Sequence, residues 1–205
     1  MKNYILQILA LSTLLSYSQI DLPINFEESQ VTTESFVNFN GGTGTVVDNP
    51  FPSDYNPSNT VGKIVRLGGD IWAGSYLIVS PLDFTTETTI KMSVYSVSPG
   101  LLVKLKLEDD NNPVTAAVDR DAYTTKYDQW ETLTWSFSGE PANTFQKLVL
   151  MFDFGNTGDG TESSTFYFDD IYQFDPTGGL AQIDLPITYD DSSIYYSLIP
   201  FGDEE

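Results

Sequence analysis

Ile90-Lys91-Met92-Ser93-Val94-Tyr95 and Val103-Lys104-Leu105-Lys106-Leu107-Glu108 alternate apolar and polar residues with a period of two. In an extended chain successive side chains point to opposite faces, so each stretch reads as a strand with one face on a core. Working outward, the same reading predicts strands over Val61–Leu67, Trp72–Val79, Thr132–Phe137, Lys147–Phe154 and Thr165–Phe174. An opening strand, closed by Glu27-Glu28, is expected to precede them. Turn formers separate these runs: Asn40-Gly41-Gly42, Gly68-Gly69-Asp70, Pro99-Gly100, Asp109-Asp110-Asn111-Asn112-Pro113 and the glycine-rich 155–160 stretch. No segment beyond residue 18 holds a helical period for three turns. Eight to ten short strands in about 155 residues predict an all-β chain, a two-sheet β-sandwich with a jelly-roll (galactose-binding-like) layout.

Composition narrows the chemistry. Among 205 residues there are 29 Asp or Glu against 9 Lys or Arg, a formal charge of −20. A surface that acidic repels nucleic-acid backbones and anionic membranes. The chain has no histidine and no cysteine. That removes Ser-His and Cys-His nucleophile pairs, imidazole or thiolate zinc sites, and disulfides. Apolar residues at 40% and aromatics at 14% are ample for a packed core.

Met1-Lys2-Asn3, the apolar run Tyr4–Leu15 and the small or polar Ser16-Tyr17-Ser18 have the three-part order of a secretory signal peptide over 1–18. The run is shorter than the roughly 20 residues a spanning helix needs. The expected mature protein is secreted, and without Lys2 it carries 8 basic against 29 acidic residues, a charge of −21.

Gln19-Ile20-Asp21-Leu22-Pro23-Ile24 recurs letter for letter as Gln182-Ile183-Asp184-Leu185-Pro186-Ile187, and Asn25-Phe26-Glu27-Glu28-Ser29 is matched in kind by Thr188-Tyr189-Asp190-Asp191-Ser192. A repeat at this spacing predicts one module over 19–175, a turn-rich linker over 176–181, and the truncated start of a second copy over 182–205. The expectation is a monomeric module at the front of a longer multimodular protein.

Two groups of residues stand out as candidate sites. Glu27-Glu28 near the module's start and Asp169-Asp170 within Phe166-Tyr167-Phe168-Asp169-Asp170-Ile171 belong to the first and last strands, which are often neighbours in a sandwich. Carboxylates gathered there repel one another unless a cation sits between them, and Ca²⁺ suits oxygen-only ligands. Glu27, Glu28, Asp169 and Asp170 are therefore candidate ligands of a structural calcium. A solvated acidic edge that discourages strand addition is the other reading.

The second group is aromatic. Trp72 and Tyr76 lie among small residues in Gly68-Gly69-Asp70-Ile71-Trp72-Ala73-Gly74-Ser75-Tyr76 and share one strand face. Lys104, Lys106 and Glu108 oppose the apolar set of their strand, and Tyr95 does so on the preceding one. An aromatic plate for the C–H face of a sugar, beside side chains that exchange hydrogen bonds with its hydroxyls, is what a glycan-binding face requires. Trp72, Tyr76, Tyr95, Lys104, Lys106 and Glu108 are the candidate ligand contacts; a solvated sheet face with a structural Trp is the other reading. Trp135 shares the parity of Leu133 and Phe137 and reads as core; Trp130 reads as a cap on the sandwich. Glu108 and Glu131 are isolated, and the retaining-glycosidase pattern Glu-x-Asp-x-x-Glu does not occur, so this segment reads as non-catalytic.

Leu22-Pro23-Ile24-Asn25-Phe26-Glu27, Gly69-Asp70-Ile71-Trp72-Ala73-Gly74, Trp130-Glu131-Thr132-Leu133-Thr134-Trp135-Ser136-Phe137 and Phe166-Tyr167-Phe168-Asp169-Asp170-Ile171 together resemble carbohydrate-binding jelly rolls of the family 4 and family 22 superfamily. More closely, they look like the tandem modules that Bacteroidetes append to exported polysaccharide-degrading enzymes, family 16 β-glucanases among them. The resemblance covers roughly 19–174. It implies a soluble β-glucan such as laminarin, or xylan next, as ligand, and a calcium tying the first strand to the last at Glu27 or Glu28 and Asp169 or Asp170. It also implies a role in holding a parent glycoside hydrolase on its polysaccharide. The rival readings are a calcium-stabilised structural or adhesive spacer without ligand, and the N-terminal part of a hydrolase whose catalytic domain lies elsewhere.

Overall fold

The computed structural model describes residues 19–27, 30–114 and 116–178. The expected signal peptide, Glu28, the end of the linker and the second copy lie outside the described residues. The described residues up to Asp175 belong to one compact unit, and those from Pro176 to a second.

Among the described residues the first unit holds ten strands: β1 (Val37–Phe39), β2 (Gly42–Asp48), β3 (Thr60–Arg66), β4 (Gly74–Ile78), β5 (Thr89–Ser96), β6 (Leu102–Glu108), β7 (Ala117–Tyr123), β8 (Gln129–Ser136), β9 (Lys147–Met151) and β10 (Thr165–Phe174). They make two five-stranded antiparallel sheets, one in the order β1-β4-β9-β6-β7 and the other β2-β3-β10-β5-β8. This is the expected two-sheet sandwich. Its core is the inward parity of both sheets: Val103, Leu105 and Leu107 of β6, Leu148 and Leu150 of β9, Ile90, Met92 and Val94 of β5, and Phe166 and Phe168 of β10 are all buried. Trp135 is in that core as its parity predicts, its indole N–H donating to Val103 O at 3.2 Å.

Strand bounds depart from expectation where a hydrogen bond intervenes. The strand expected from Trp72 begins only at Gly74, because Ala73 N–H donates to Asp70 O (3.0 Å) and closes a turn over Asp70–Ala73. Trp72 thus stands on that turn and not on the strand it was expected to share with Tyr76. The expected opening strand is reduced to two single bridges, Ile20 with Val79 and Ile24 with Ile171. Pro23 lies between them and has no N–H to give a continuous ladder. The second bridge still seats the N-terminal segment beside the last strand. Trp130 lies inside β8, where it is buried.

Within β10 the register shifts between Asp169 and Tyr172, and Asp170 takes φ 48°. The extra residue lets Phe168 and Ile171 both reach the core, although strict alternation would send one of them outward.

Candidate glycan-binding groove

The register of the first sheet sets side chains in rows across its outer face. Tyr76 on β4 stands opposite Val149 on β9, Val149 opposite Lys106 on β6, and Lys106 opposite Asp119 on β7. A parallel row joins Met151, Lys104 and Asp121, and a third joins Ile78, Lys147 and Glu108. At about 4.8 Å between strands, the first row spans about 14 Å. The first row, with Met151, Lys104 and Glu108 of the other two, lines a groove of about 620 Å³ together with Trp72, Phe39 and Phe154. Trp72 is 46% exposed, and the Phe39 and Tyr76 rings lie 6.4 Å apart.

The cations of this face are paired. Lys104 Nζ lies 2.5 Å from Asp119 Oδ2 and 2.6 Å from Asp121 Oδ1, Lys106 Nζ is 2.6 Å from Glu108 Oε1, and Lys147 Nζ is 2.9 Å from Asp110 Oδ1. Burial, the largest influence on Lys104, pulls its pKa down, but hydrogen bonds and charge from Asp119 and Asp121 outweigh it and hold the pKa above the ordinary lysine value. Lys147 is held up in the same way, chiefly by Asp110. Lys104 also sits 4.9 Å from the centre of the Phe154 ring, and Lys147 5.2 Å from that of Tyr76. The result is a strip of aromatic faces beside fixed donors and acceptors with little unpaired charge.

Five of the six candidate contacts, Trp72, Tyr76, Lys104, Lys106 and Glu108, therefore line one groove. Tyr95 does not. Its strand, β5, belongs to the other sheet, and its outward parity puts it on that sheet's outer face. There its ring stacks on Phe51 (centroids 3.9 Å apart, planes 6° apart) and meets Trp130 edge-on at 5.6 Å. Parity along a strand predicts a face; it does not say which sheet the strand joins. Phe39 and Phe154 complete the groove and were not singled out in the sequence. Alternation over the expected strand Lys147–Phe154 would put Phe154 with Phe152 in the core, but β9 ends at Met151. Phe39 carries no sequence signal beyond its place before the Asn40-Gly41 turn.

Beside the Phe51–Tyr95 stack a second cavity, of about 890 Å³, is lined by Tyr127, Tyr167, Asp128, Asp159 and Glu162 among others. Its carboxylates face no lining cation, in contrast to the paired charges of the groove.

The acidic candidates meet around β10. Asp169 is fully buried, accepting from Asn56 Nδ2 (2.9 Å) and from the Asp170 backbone N–H (2.9 Å). Burial pushes its pKa up to about 6, with Ser58 and Asn56 pulling back and Asp170 adding repulsion. Asp170 is also raised, by burial first and by the charge of Glu27. Glu27 accepts from Thr60 N–H (2.8 Å) and Asn59 Nδ2 (3.0 Å), the bonds that lower its pKa. Glu27, Asp169 and Asp170 thus share one neighbourhood, although among the described residues no three acidic side chains converge as a ready coordination group. Two raised carboxylates facing a third are the donor chemistry an oxygen-preferring divalent cation relieves.

Glu131, which looked isolated in the sequence, is a structural anchor. Its buried carboxylate accepts from Ser96 Oγ, Thr125 N–H (2.8 Å), Thr125 Oγ1 (2.6 Å) and Lys126 N–H (3.0 Å). Burial, its largest influence, raises its pKa; the hydrogen bonds together outweigh it and leave the pKa below the usual carboxylate value.

No family model matches the chain, and no curated protein matches it. Solved structures do. The CBM22-1 xylan-binding domain of Paenibacillus barcinonensis Xyn10C is 18% identical, over 72% of this chain and 88% of that one, with a TM-score of 0.45. The family 11 carbohydrate-binding module of Clostridium thermocellum, in complex with a β-1,3-1,4-mixed-linked tetrasaccharide, is 13% identical over 69% and 89%, with a TM-score of 0.49. TmCBM61, in complex with β-1,4-galactotriose, is 14% identical over 74% and 94%, with a TM-score of 0.46.

Proposed function

We propose that the chain is a non-catalytic carbohydrate-binding module that grips an uncharged polysaccharide along the outer face of the β1-β4-β9-β6-β7 sheet. The observation that carries this is the groove itself: an exposed Trp72 with Tyr76, Phe39 and Phe154 beside lysine–carboxylate pairs. Sugar rings stack their C–H faces on the aromatics, and their hydroxyls exchange hydrogen bonds with Lys104, Lys106, Glu108 and Asp119. A uronate or sulfated chain gains little there, because each lysine already holds a carboxylate. A β-glucan such as laminarin is the first ligand to test and xylan the second. In the cell the module is secreted and keeps a parent polysaccharide-degrading enzyme on its substrate, raising effective concentration as tethered binders do.

Native affinity electrophoresis through gels containing laminarin, mixed-linkage β-glucan, xylan or alginate tests the reading. Retardation in a neutral glucan, lost in Trp72→Ala with the fold intact, is the expected result. No retardation in any gel contradicts it and leaves the spacer reading.

A structural Ca²⁺ held by Glu27, Asp169 and Asp170, with Glu28 a further candidate, is the second half of the proposal. Its support is that Asp169 and Asp170 are both raised, first by burial and then by the neighbouring charges of Asp170 and Glu27 respectively. Calcium at 100 times its Kd stabilises a protein by about 2.7 kcal/mol, a rise in Tm on the order of 5–10 °C for a domain of this size. A Tm unmoved by chelator and calcium contradicts it.

A further inference from the structure

Two of the groove's aromatics, Trp72 and Phe154, come from loops, yet both loops are tied to one side chain of the opposite sheet. Arg66 ends β3 and is fully buried. Its guanidinium donates through Nη2 to Asp70 O (3.2 Å) and Asn156 O (2.5 Å), and through Nη1 to Asp153 O (2.6 Å). Asp70 opens the turn that carries Trp72, while Asp153 and Asn156 bracket Phe154. The two loops are also joined directly, since Gly155 N–H donates to Ile71 O at 3.0 Å.

Other features close the same knot. Asn40 Nδ2 donates to Asp70 Oδ2 (2.8 Å), and Asp70 N–H to Asn40 O (3.1 Å). Gly160 N–H donates to Arg66 O at 2.8 Å. A Cβ on Gly158 would come within 2.3 Å of Arg66 Cβ, so the second loop passes directly over the arginine and only glycine fits there. Asp153 Oδ2, 3.9 Å from Nη1, supplies the nearby negative charge. The Nη1–Nη2 end of the buried guanidinium is held by three carbonyls from two loops, while its Nε has no hydrogen-bond partner.

We infer that Arg66 is a positioning residue for glycan binding: its planar fork fixes the Asp70–Ala73 turn and the 153–156 loop together, and so presets Trp72 and Phe154 at the groove's rim. It touches no ligand. Its effect is preorganisation, because a rim ordered before binding loses less freedom when the chain docks. The effect on affinity rests on the glycan reading of the groove; the effect on Trp72 does not.

The test uses the protein labelled with 5-fluorotryptophan, whose three ¹⁹F resonances are assigned by the loss of one in Trp72→Phe. In Arg66→Lys a compact ammonium replaces the fork and does not span three carbonyls. The expected result is broadening or splitting of the Trp72 resonance alone, with those of Trp130 and Trp135 unchanged, and about a tenfold loss of affinity for a laminarin oligosaccharide. An unchanged Trp72 resonance overturns the inference, whatever the affinity. A perturbed Trp72 with full affinity overturns its functional half. Should the parent bind no glycan, the groove reading fails while the ¹⁹F result still decides the role of Arg66. Where Arg66→Lys does not fold, ¹⁵N relaxation of the unaltered protein decides. Backbone amides of 70–73 and 153–156 as ordered as the strands support the clasp, and nanosecond mobility there overturns it.

Discussion

The two outer faces of the sandwich carry similar aromatic inventories and have opposite fates. On the β2-β3-β10-β5-β8 sheet, Tyr95 and Trp130 are covered by their own chain. Phe51 stacks on Tyr95, Trp130 Nε1–H donates to Phe51 O (2.7 Å), and Tyr55 Oη meets Thr132 Oγ1 (2.5 Å). On the β1-β4-β9-β6-β7 sheet, Trp72 stays nearly half exposed. An aromatic ring is available to a ligand when its own chain offers nothing better, and that depends on a loop as much as on the strand that bears it.

The contrast can be broken from either side. The largest effect belongs to the covered face: Trp130→Ala is expected to cost about 3–5 kcal/mol in urea unfolding while leaving glycan affinity of the folded protein unchanged. Loss of affinity without loss of stability would move the binding face to this side. Next comes Glu131→Ala on the same sheet, which strips the Thr125 and Lys126 amides of their acceptor and is expected to cost about 2–3 kcal/mol at pH 7. Because the folded Glu131 pKa lies below its unfolded value, its stabilisation is present above about pH 4.5 and is lost as pH falls through the folded pKa. The stability gap between parent and Glu131→Ala should therefore narrow as pH drops below 4.5; a constant gap would mean that packing, not ionisation, carries the effect.

On the open face, Trp72→Ala is expected to weaken glucan binding by about 2 kcal/mol, roughly 30-fold, with a Tm within about 2 °C of the parent. A large drop in Tm would make Trp72 a packing residue like Trp130. The smallest effect sharpens the electrostatics. Since the lysines are paired, raising NaCl from 0.1 to 0.5 M should change affinity for neutral glucan less than about twofold. A steep salt dependence in calorimetry would point to an anionic chain instead.

Fold class was legible because alternation in β5 and β6 is a local property written by burial. Three strands escaped it: β1 is only three residues long, β2 begins Gly-Thr-Gly-Thr, and β7 is the polar edge Ala117–Tyr123. The groove was legible to the extent that parity decides it, which covers Tyr76, Lys104, Lys106 and Glu108. Tyr95 was misplaced because consecutive strands β5 and β6 lie in different sheets, a long-range fact that no local pattern encodes. Phe154 was missed because β9 stops early and a turn re-aims the ring. Arg66 and Glu131 were silent in the sequence for a related reason: their partners are backbone groups of loops, which have no residue-type signature.

The central claim is that ligand lies across β4, β9 and β6 under Trp72. Titrating a ¹⁵N-labelled sample with laminarin oligosaccharide and following amide and indole shifts tests it directly. Shifts are expected at the Trp72 indole, Tyr76, Lys104, Lys106 and Val149, with Tyr95 and Trp130 still. Shifts centred on Tyr95, Tyr127 and Tyr167, or none with any neutral glucan, would contradict it.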